Sequence, residues 1–229
     1  MLIGGLQKFS LLDYPSKICA IVFTQGCNFK CPYCHNPELV NPSLFREPIP
    51  TGYVLDFLEQ RKGKLDALVV TGGEPTLQQD LPRFLVRIKK MGYAVKVDTN
   101  GSNPEMLARL IKRKLVDYLA MDIKAPSDKY HIIAGTAVDI DRIAASVAII
   151  KKSGIEYEFR STLVQNLISL EEAVRIGGLI GVADRFYLQH FEADRTLSAE
   201  YREALPFTCE QYNRLAAILS KNIREIHLR

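Results

Sequence analysis

The sequence predicts an α/β fold, a partial (β/α)6 barrel of parallel strands. Two observations support this prediction. Short apolar runs with β-branched residues alternate along the chain with amphipathic stretches of helical length. Such repetition indicates parallel strands joined by right-handed crossovers, and six units suggest a partial barrel rather than a closed eightfold one. No internal repeat or low-complexity linker divides the 229 residues, so we expect a single domain over residues 1–229.

The predicted strands follow one another at intervals that leave room for a helix between most of them. A seventh segment, 223–228, is either a closing strand or the tail of a helix. The six predicted strands are 18–23, 67–71, 94–98, 118–122, 157–163 and 185–190.

The predicted helices have recognisable ends. Asn103 followed by Pro104 indicates an N-cap with proline in the first turn. Two capping boxes are predicted further on, Ser169 with Glu172 and Thr208 with Gln211. Two helices are expected to stop at glycines, Gly92 and Gly154.

Composition excludes several classes of function. The net charge is only +4, with acidic residues interspersed among the basic ones, so no nucleic-acid partner is expected. No apolar run is long enough to cross a bilayer, and the opening residues lack the pattern of a signal peptide. We therefore expect a cytoplasmic protein with no membrane partner. Three of the five cysteines fall within eight residues, which favours metal or redox chemistry over a disulfide framework.

The cysteine cluster is the most specific motif. Cys27, Cys31 and Cys34 lie in a loop over residues 24–36, directly after the first predicted strand, at C-x3-C-x2-C spacing. Three thiolates from one loop can bind three irons of a four-iron cluster and leave the fourth without a protein ligand. An open metal position is typical of a catalytic site rather than a structural one.

Two alternatives for this loop stay open at this point. His35 could complete a structural Cys3His zinc site. A fourth cysteine, Cys19 or Cys209, could instead close the cluster. Cys19 lies in the first predicted strand and is expected to be a small core residue. Cys209 is expected in the first turn of the last helix.

Polar residues also follow the other predicted strands. Taken singly, each of these residues could have a purely structural role, in a turn, in a surface ion pair or as a structural histidine. Together they lie at the strand ends where α/β sheets bind ligands. They are Gly72, Gly73, Glu74, Asp98, Asn100, Asp122, Lys124, Arg160, Gln189 and His190.

These motifs resemble those of a known superfamily. The segment CNFKCPYCHN is similar to the cluster loop of the radical S-adenosylmethionine enzymes, and TGGEP is similar to their GGE motif. The segments CPYCHN, DTNG and DIK resemble the glycyl-radical-enzyme activases. The opening GGLQKFSLLDYPSKICAIVFTQGC and the later YLQHF are most similar to the longer form of anaerobic ribonucleoside-triphosphate reductase activating protein.

The resemblance implies a role for each site residue. Cys27, Cys31 and Cys34 would hold one 4Fe–4S cluster, whose fourth iron binds S-adenosylmethionine; the three cysteines and Lys124 would form the catalytic centre. Tyr33 would pack against the adenine, and Asn100 would lie beside the cofactor. The resemblance also implies that the methionyl amino group is held by Gly72, Gly73 and Glu74. It implies a monovalent cation held by Asp98 and Asp122, and contacts to the cofactor's carboxylate or ribose from Lys124 and Arg160. Gln189 and His190 are equal candidates for a further cofactor contact.

The implied activity is reductive cleavage of S-adenosylmethionine to a 5′-deoxyadenosyl radical, which installs a glycyl radical on a partner enzyme. The expected partners are anaerobic ribonucleotide reductase and an electron donor of the flavodoxin or ferredoxin type. Three alternatives remain: an activase of the pyruvate formate-lyase type, a radical enzyme acting on a small molecule, and a non-enzymatic zinc-stabilised α/β binding module.

Overall fold

The computed structural model describes residues 1–165 and 167–229, and its eight strands form one sheet in chain order from β1 to β8. The strands are β1 (Ile3–Ser10), β2 (Cys19–Thr24), β3 (Ala67–Gly72), β4 (Ala94–Thr99), β5 (Tyr118–Asp122), β6 (Glu156–Thr162), β7 (Ala183–Gln189) and β8 (Ile223–Leu228). The α-helices are α1 (Pro37–Val40), α2 (Thr51–Gln60), α3 (Leu81–Lys90), α4 (Pro104–Lys112), α5 (Tyr130–Ala134), α6 (Ile140–Lys152), α7 (Leu170–Ile180) and α8 (Cys209–Leu219). Short 3-10 turns cover Pro42–Leu44, Pro75–Leu77, Ser127–Lys129 and Ala199–Glu203.

The parallel architecture is confirmed. Strands β2 to β8 pair in parallel with one another in chain order, and β2 to β7 correspond to the six predicted strands, with ends that differ by at most two residues. Residues 223–228 form a strand, which decides between the two predicted alternatives. None of the helices in the described part of the chain is long and apolar enough to span a membrane.

Strand β1 was not predicted. It pairs antiparallel with β2 and adds an edge to the sheet before the first parallel unit. Two adjacent glycines, Gly4 and Gly5, weaken its strand signal, because glycine is depleted in strands. Its central residues also alternate poorly between buried and exposed positions, and its pairing with β2 is irregular at two points.

The predicted helix ends are confirmed. The Asn103 side chain accepts a hydrogen bond from the Met106 amide at 3.2 Å, as an N-cap should. Both capping boxes form, at the start of α7 and at the start of α8. Gly92 and Gly154 follow α3 and α6 with φ of 91° and 70°, a left-handed conformation that favours glycine.

The two faces of the sheet pack against different surroundings. Its outer face packs on the helices in the main apolar core. Its inner face is apolar along β2 and β3, where Ile21 and Val69 pack with Tyr14 and Tyr118. Because side chains alternate along a strand, residues two apart on β4, β5 and β6 share this inner face. There the side chains are largely polar and charged, so the barrel interior is polar on the side that leads to the strand ends.

Candidate active site at the carboxyl ends of the strands

A cleft opens at the carboxyl ends of the parallel strands, where the ligand-site rule places it. The cleft and the open space at its mouth together amount to about 960 Å³. Every predicted site residue except His190 lines it, namely Cys27, Cys31, Tyr33, Cys34, Gly72, Gly73, Glu74, Asp98, Asn100, Asp122, Lys124, Arg160 and Gln189. One cleft therefore gathers residues from β3 to β7 around the cysteine loop.

The cysteine loop is held by its backbone. The Gly26 amide donates to the Leu39 carbonyl at 2.8 Å, and the Lys30 amide donates to the Ala134 carbonyl at 2.7 Å. Inside the loop, the Phe29 amide donates to the Cys27 sulfur at 3.3 Å. Neighbouring α1 and α5 thus fix the loop, and the first thiol already has a backbone donor.

The three thiols lie in an environment that disfavours their charged form. Burial, with the charge of Glu74, raises the pKa of Cys27 to about 12. Burial raises the pKa of Cys31 to about 11 against the opposing effect of Lys124, and it also raises the pKa of Cys34. Thiolates are the forms that ligate iron, so binding a cluster here must release protons.

The other ligands considered for this loop lie in different surroundings, although His35 also lines the cleft. His35 stacks on Phe191 with ring centroids 5.7 Å apart, and its Nε2 lies 2.9 Å from the Glu192 carbonyl oxygen. Cys19 is fully buried in the barrel interior, as expected of a core residue, and Cys209 is exposed at the start of α8. Within residues 1–165 and 167–229, no three His, Cys, Asp or Glu side chains are close enough to share one metal ion. A cubane cluster needs no such set, since each of its thiolates binds a different iron.

The two glycines at the end of β3, Gly72 and Gly73, are required by packing. A Cβ on Gly72 would lie 2.4 Å from the Thr24 amide nitrogen, and one on Gly73 would lie 2.2 Å from the Gly26 carbonyl oxygen. The Gly73 amide donates to the Thr24 carbonyl, and the Glu74 amide donates to the Gly26 carbonyl, both at 2.8 Å. These glycines therefore let the end of β3 lie directly against the cysteine loop.

The Glu74 side chain is fully buried and binds protein groups. Its Oε1 accepts from the Thr76 amide at 3.0 Å, the Thr76 hydroxyl at 2.5 Å and the Thr99 hydroxyl at 2.7 Å. Its Oε2 accepts from the Asn100 amide at 2.6 Å. Burial raises the pKa of this carboxyl although all four donors oppose the rise. Glu74 thus ties the loops after β3 and β4 together.

Asn100 links that junction to the cysteine loop. Its side-chain Nδ2 lies 2.9 Å from Asn28 Oδ1 and 3.9 Å from the Cys27 sulfur. Its Oδ1 accepts from the Ser102 amide at 2.9 Å, which fixes the orientation of the side-chain amide. The NH₂ group therefore faces the thiol.

A chain of ion pairs crosses the cleft floor. Arg160 donates to Asp98 at 3.0 Å and to Asp122 at 2.8 Å, and Lys124 donates to Asp122 at 2.8 Å. Burial works to raise the pKa of Asp122, but Arg160 and Lys124 outweigh it and hold that pKa well below its ordinary value. Burial likewise opposes the charged forms of Lys124 and Arg160, yet the neighbouring carboxylates raise the pKa of each. Asp122, Lys124 and Arg160 are therefore charged at neutral pH.

Tyr33 provides a test of fit for a bound cofactor. Its ring is buried against Phe191, with centroids 6.5 Å apart. Its hydroxyl is buried and has no hydrogen-bond partner among the described residues, although Tyr33 lines the cleft. Such an orphaned donor is costly unless something pairs with it. A polar ligand in the cleft would supply the partner.

The structure separates the two candidates at the end of β7. Gln189 is in register with Thr162 of β6 and lines the cleft. His190 lies outside the cleft lining, with its ring beside Tyr212 at 6.3 Å between centroids. His190 follows the last residue of β7, so of the two candidates Gln189 is the one that lies among the other predicted site residues.

Some lining residues were missed by sequence reasoning. Thr162, two residues after Arg160 on β6, lies on the same strand face and reaches Gln189 at 3.4 Å. The alternation along β6 is a signal that could have found it. Asn36 and Thr99 also line the cleft, and they lie in the CPYCHN and DTNG segments, which could have pointed to them.

Comparisons with known proteins show the family to which the sequence is related. A sequence model of the Radical SAM superfamily matches residues 21–173. An inferred glycyl-radical enzyme activating enzyme of Methanocaldococcus jannaschii is 35% identical over 100% of this chain and 95% of its own length. The pyruvate formate-lyase-activating enzyme of Clostridium pasteurianum is 30% identical over 76% of this chain and 73% of its own length.

Among solved structures, Streptococcus suis SuiB bound to the precursor peptide SuiA matches with a TM-score of 0.67 at 18% identity. The match covers 90% of this chain and 47% of SuiB, so the chain spans about half the length of that protein. At this identity the likeness concerns the fold alone.

Proposed function

This chain belongs to the Radical SAM superfamily, and we propose that it activates a glycyl-radical enzyme. The observation that carries the proposal is the 35% identity to an inferred activating enzyme over nearly the full length of both chains. Because the superfamily implies a 4Fe–4S cluster and S-adenosylmethionine, the cysteine loop and the cleft beside it are the natural places for them. When bound, these groups supply a 5′-deoxyadenosyl radical, which removes a hydrogen atom from a glycine α-carbon of the partner.

The residues of the cleft suit this chemistry in separate ways. Cys27, Cys31 and Cys34 would ligate three irons and leave the fourth to the amino and carboxylate groups of S-adenosylmethionine. The Tyr33 hydroxyl would find its missing partner on the cofactor. Lys124 and Arg160, whose ammonium and guanidinium stay charged, would bind the cofactor's carboxylate or ribose.

Two assignments are refined by the geometry. Both oxygens of the Glu74 carboxylate already accept hydrogen bonds from protein groups. We therefore propose that the backbone at Gly72 and Gly73, in the loop that Glu74 stabilises, binds the methionyl amino group. A monovalent cation at Asp98 and Asp122 stays a proposal, and Arg160 already bridges these two carboxylates. A cation would have to share them with the guanidinium.

The partner that we propose is anaerobic ribonucleoside-triphosphate reductase, on the resemblance of the opening segment and of YLQHF. Pyruvate formate-lyase is the second candidate, favoured by the 30% identity to its activating enzyme. A flavodoxin- or ferredoxin-type protein would donate the electron. With that electron, the bound cluster and S-adenosylmethionine would supply methionine and the 5′-deoxyadenosyl radical.

The test uses anaerobically reconstituted protein, S-adenosylmethionine, a reductant and each candidate partner from the source organism. We expect a glycyl-radical signal by electron paramagnetic resonance, with 5′-deoxyadenosine formed alongside it. A partner containing α-deuterated glycine should pass deuterium into the 5′-deoxyadenosine, and a partner whose radical glycine is replaced by alanine should not. Formation of 5′-deoxyadenosine without a radical on any glycyl-radical enzyme would instead indicate a small-molecule substrate.

A further inference from the structure

Two charged residues lie beneath the cleft without a role in the chemistry described above. Lys96 on β4 and Glu158 on β6 are both fully buried, at 0% exposure. Each precedes a cleft residue by two positions, Lys96 before Asp98 and Glu158 before Arg160. Since residues two apart share a strand face, this buried pair lies one layer deeper in the barrel than the cleft floor.

A small residue on β5 leaves room between Asp98 and Glu158, and Lys96, which is opposite Tyr118, reaches the same space with its long side chain. In the sheet register, Asp98 of β4 is opposite Ala120 of β5, and Ala120 is opposite Glu158 of β6. The alanine methyl group leaves space in which longer side chains from β4 and β6 can converge. A larger residue at position 120 would fill the space that these charges share.

Lys96 holds this layer together. Its ammonium donates to the Asp13 carbonyl at 2.6 Å, and it lies 3.4 Å from Asp98 Oδ1 and 3.6 Å from Glu158 Oε1. Neither of those two carboxylate oxygens accepts a hydrogen bond from any described residue. The Lys96 ammonium is therefore their nearest counter-ion, anchored from below by the connection between β1 and β2.

The same layer contacts the cleft residue Arg160 from below. The Arg160 guanidinium donates to Asp98 Oδ2 at 3.0 Å and lies 3.9 Å from Glu158 Oε1. Glu158 Oε1 also lies 3.8 Å from Arg229, and Oε2 accepts from the Tyr118 hydroxyl at 2.8 Å. Asp98 thus has one oxygen toward Arg160 and the other toward Lys96, so its orientation depends on both cations.

Stability alone does not explain such a layer. Buried ion pairs contribute little to folding compared with apolar residues of similar volume, because desolvating the charges offsets their attraction. Removing one partner, in contrast, leaves an uncompensated charge that must rearrange. The side chains with freedom to rearrange here are Asp98 and Arg160, which form the cleft floor.

We propose that Lys96 and Glu158 are positioning residues for the cofactor site, which fix Asp98 and Arg160 in the orientation that binds S-adenosylmethionine. This inference rests on the proposed roles of Asp98 and Arg160. If Lys96 were replaced by an uncharged residue, Asp98 and Glu158 would repel each other. The Arg160 guanidinium would then move toward Glu158, away from the cofactor. Removing the Glu158 charge as well would relieve that pull.

The test measures the dissociation constant for S-adenosylmethionine by anaerobic equilibrium dialysis of the reconstituted protein. Iron content and the urea unfolding midpoint are measured on the same samples. Lys96→Met should weaken binding about tenfold, and the double variant Lys96→Met/Glu158→Gln should return to within about threefold of the wild type. The matched control Lys62→Met removes an exposed lysine, whose ion pair with Glu59 lies outside the cleft, and should change binding less than about twofold.

The outcomes separate the possibilities. Lys96→Met binding as tightly as wild type, or a double variant no better than the single one, overturns the proposal. A fall in iron content and unfolding midpoint that accounts for the lost affinity also overturns it, because that is what a merely structural role predicts. If Lys96→Met does not fold, Lys96→Gln replaces it with the same expected results. Wild-type protein that fails to bind S-adenosylmethionine would contradict the cofactor assignment itself, a result distinguishable from the others.

Discussion

The Glu74 carboxylate accepts a hydrogen bond from the Asn100 amide at 2.6 Å, and this contact joins the loops that follow β3 and β4. Asn100 in turn faces the Cys27 sulfur. The GGE segment therefore contacts the cysteine loop in two ways. Gly73 packs on Gly26, and the Glu74 carboxylate binds Asn100, which faces Cys27. Disturbing any of these contacts, or the ion pairs on the cleft floor, should have a measurable effect.

Glu74→Gln should destabilise the protein by roughly 2 kcal/mol, because a side-chain NH₂ would face a backbone or hydroxyl donor in a fully buried site. Urea unfolding of the metal-free protein measures this free energy. The exposed Glu105→Gln is the matched control and should change stability little. Equal stability of Glu74→Gln and wild type would show that the carboxylate does not hold these loops.

Gly73→Ala should displace the cysteine loop, since its Cβ would lie 2.2 Å from the Gly26 carbonyl oxygen. We expect less iron bound per chain after reconstitution and a loss of stability on the order of 2 kcal/mol or more. Gly178→Ala is the matched control, because Gly178 is exposed on α7 and a Cβ added there would have no neighbouring atom within 4 Å. That variant should gain about 0.5–1 kcal/mol of stability and bind iron normally.

Asp122→Asn should cost roughly 2 kcal/mol at neutral pH, less than a wholly buried pair, because the carboxylate is 22% exposed. The folded-state pKa of Asp122 is depressed below its ordinary value of 3.8. Its stabilising contribution is therefore complete well above pH 3.8 and is lost as the pH falls below that value toward the depressed pKa. The difference between variant and wild type in urea unfolding should stay constant from neutral to mildly alkaline pH and shrink in strong acid. A difference that grows in acid would contradict the assignment.

Tyr33→Phe should stabilise the cofactor-free protein by about 1 kcal/mol, because it removes a buried hydroxyl without a partner among the described residues. The same variant should bind S-adenosylmethionine more weakly if the hydroxyl pairs with the cofactor. Tyr130→Phe is a control of opposite sign, since its hydroxyl accepts from the Lys124 amide at 3.3 Å. Thermal unfolding with and without S-adenosylmethionine distinguishes these effects.

The order of the parallel strands and the position of the cleft could be predicted from the sequence, because apolar runs and the polar residues after them are local signals. The different positions of Gln189 and His190 relative to the cleft could not, since they depend on where β7 ends and on its pairing with Thr162 of β6. Strand β1 was missed because its pairing with β2 is not encoded in its own pattern.

The buried charges were missed for a related reason. Lys96 and Glu158 each stand between apolar neighbours, and a single strand does not reveal whether such a residue faces solvent or the barrel interior. The register of β4, β5 and β6 places Asp98 and Glu158 on either side of Ala120, and the long Lys96 side chain reaches both carboxylates. That is information about pairs of distant strands, which periodicity along one strand does not contain.

The most direct test of the account is the release of 5′-deoxyadenosine by anaerobically reconstituted protein given S-adenosylmethionine and a reductant. Wild type and the exposed-cysteine variant Cys209→Ala should release it at similar rates, whereas Cys31→Ala should release none above background. The account is contradicted if Cys31→Ala releases as much as wild type, because the cluster would then not depend on the cysteine loop.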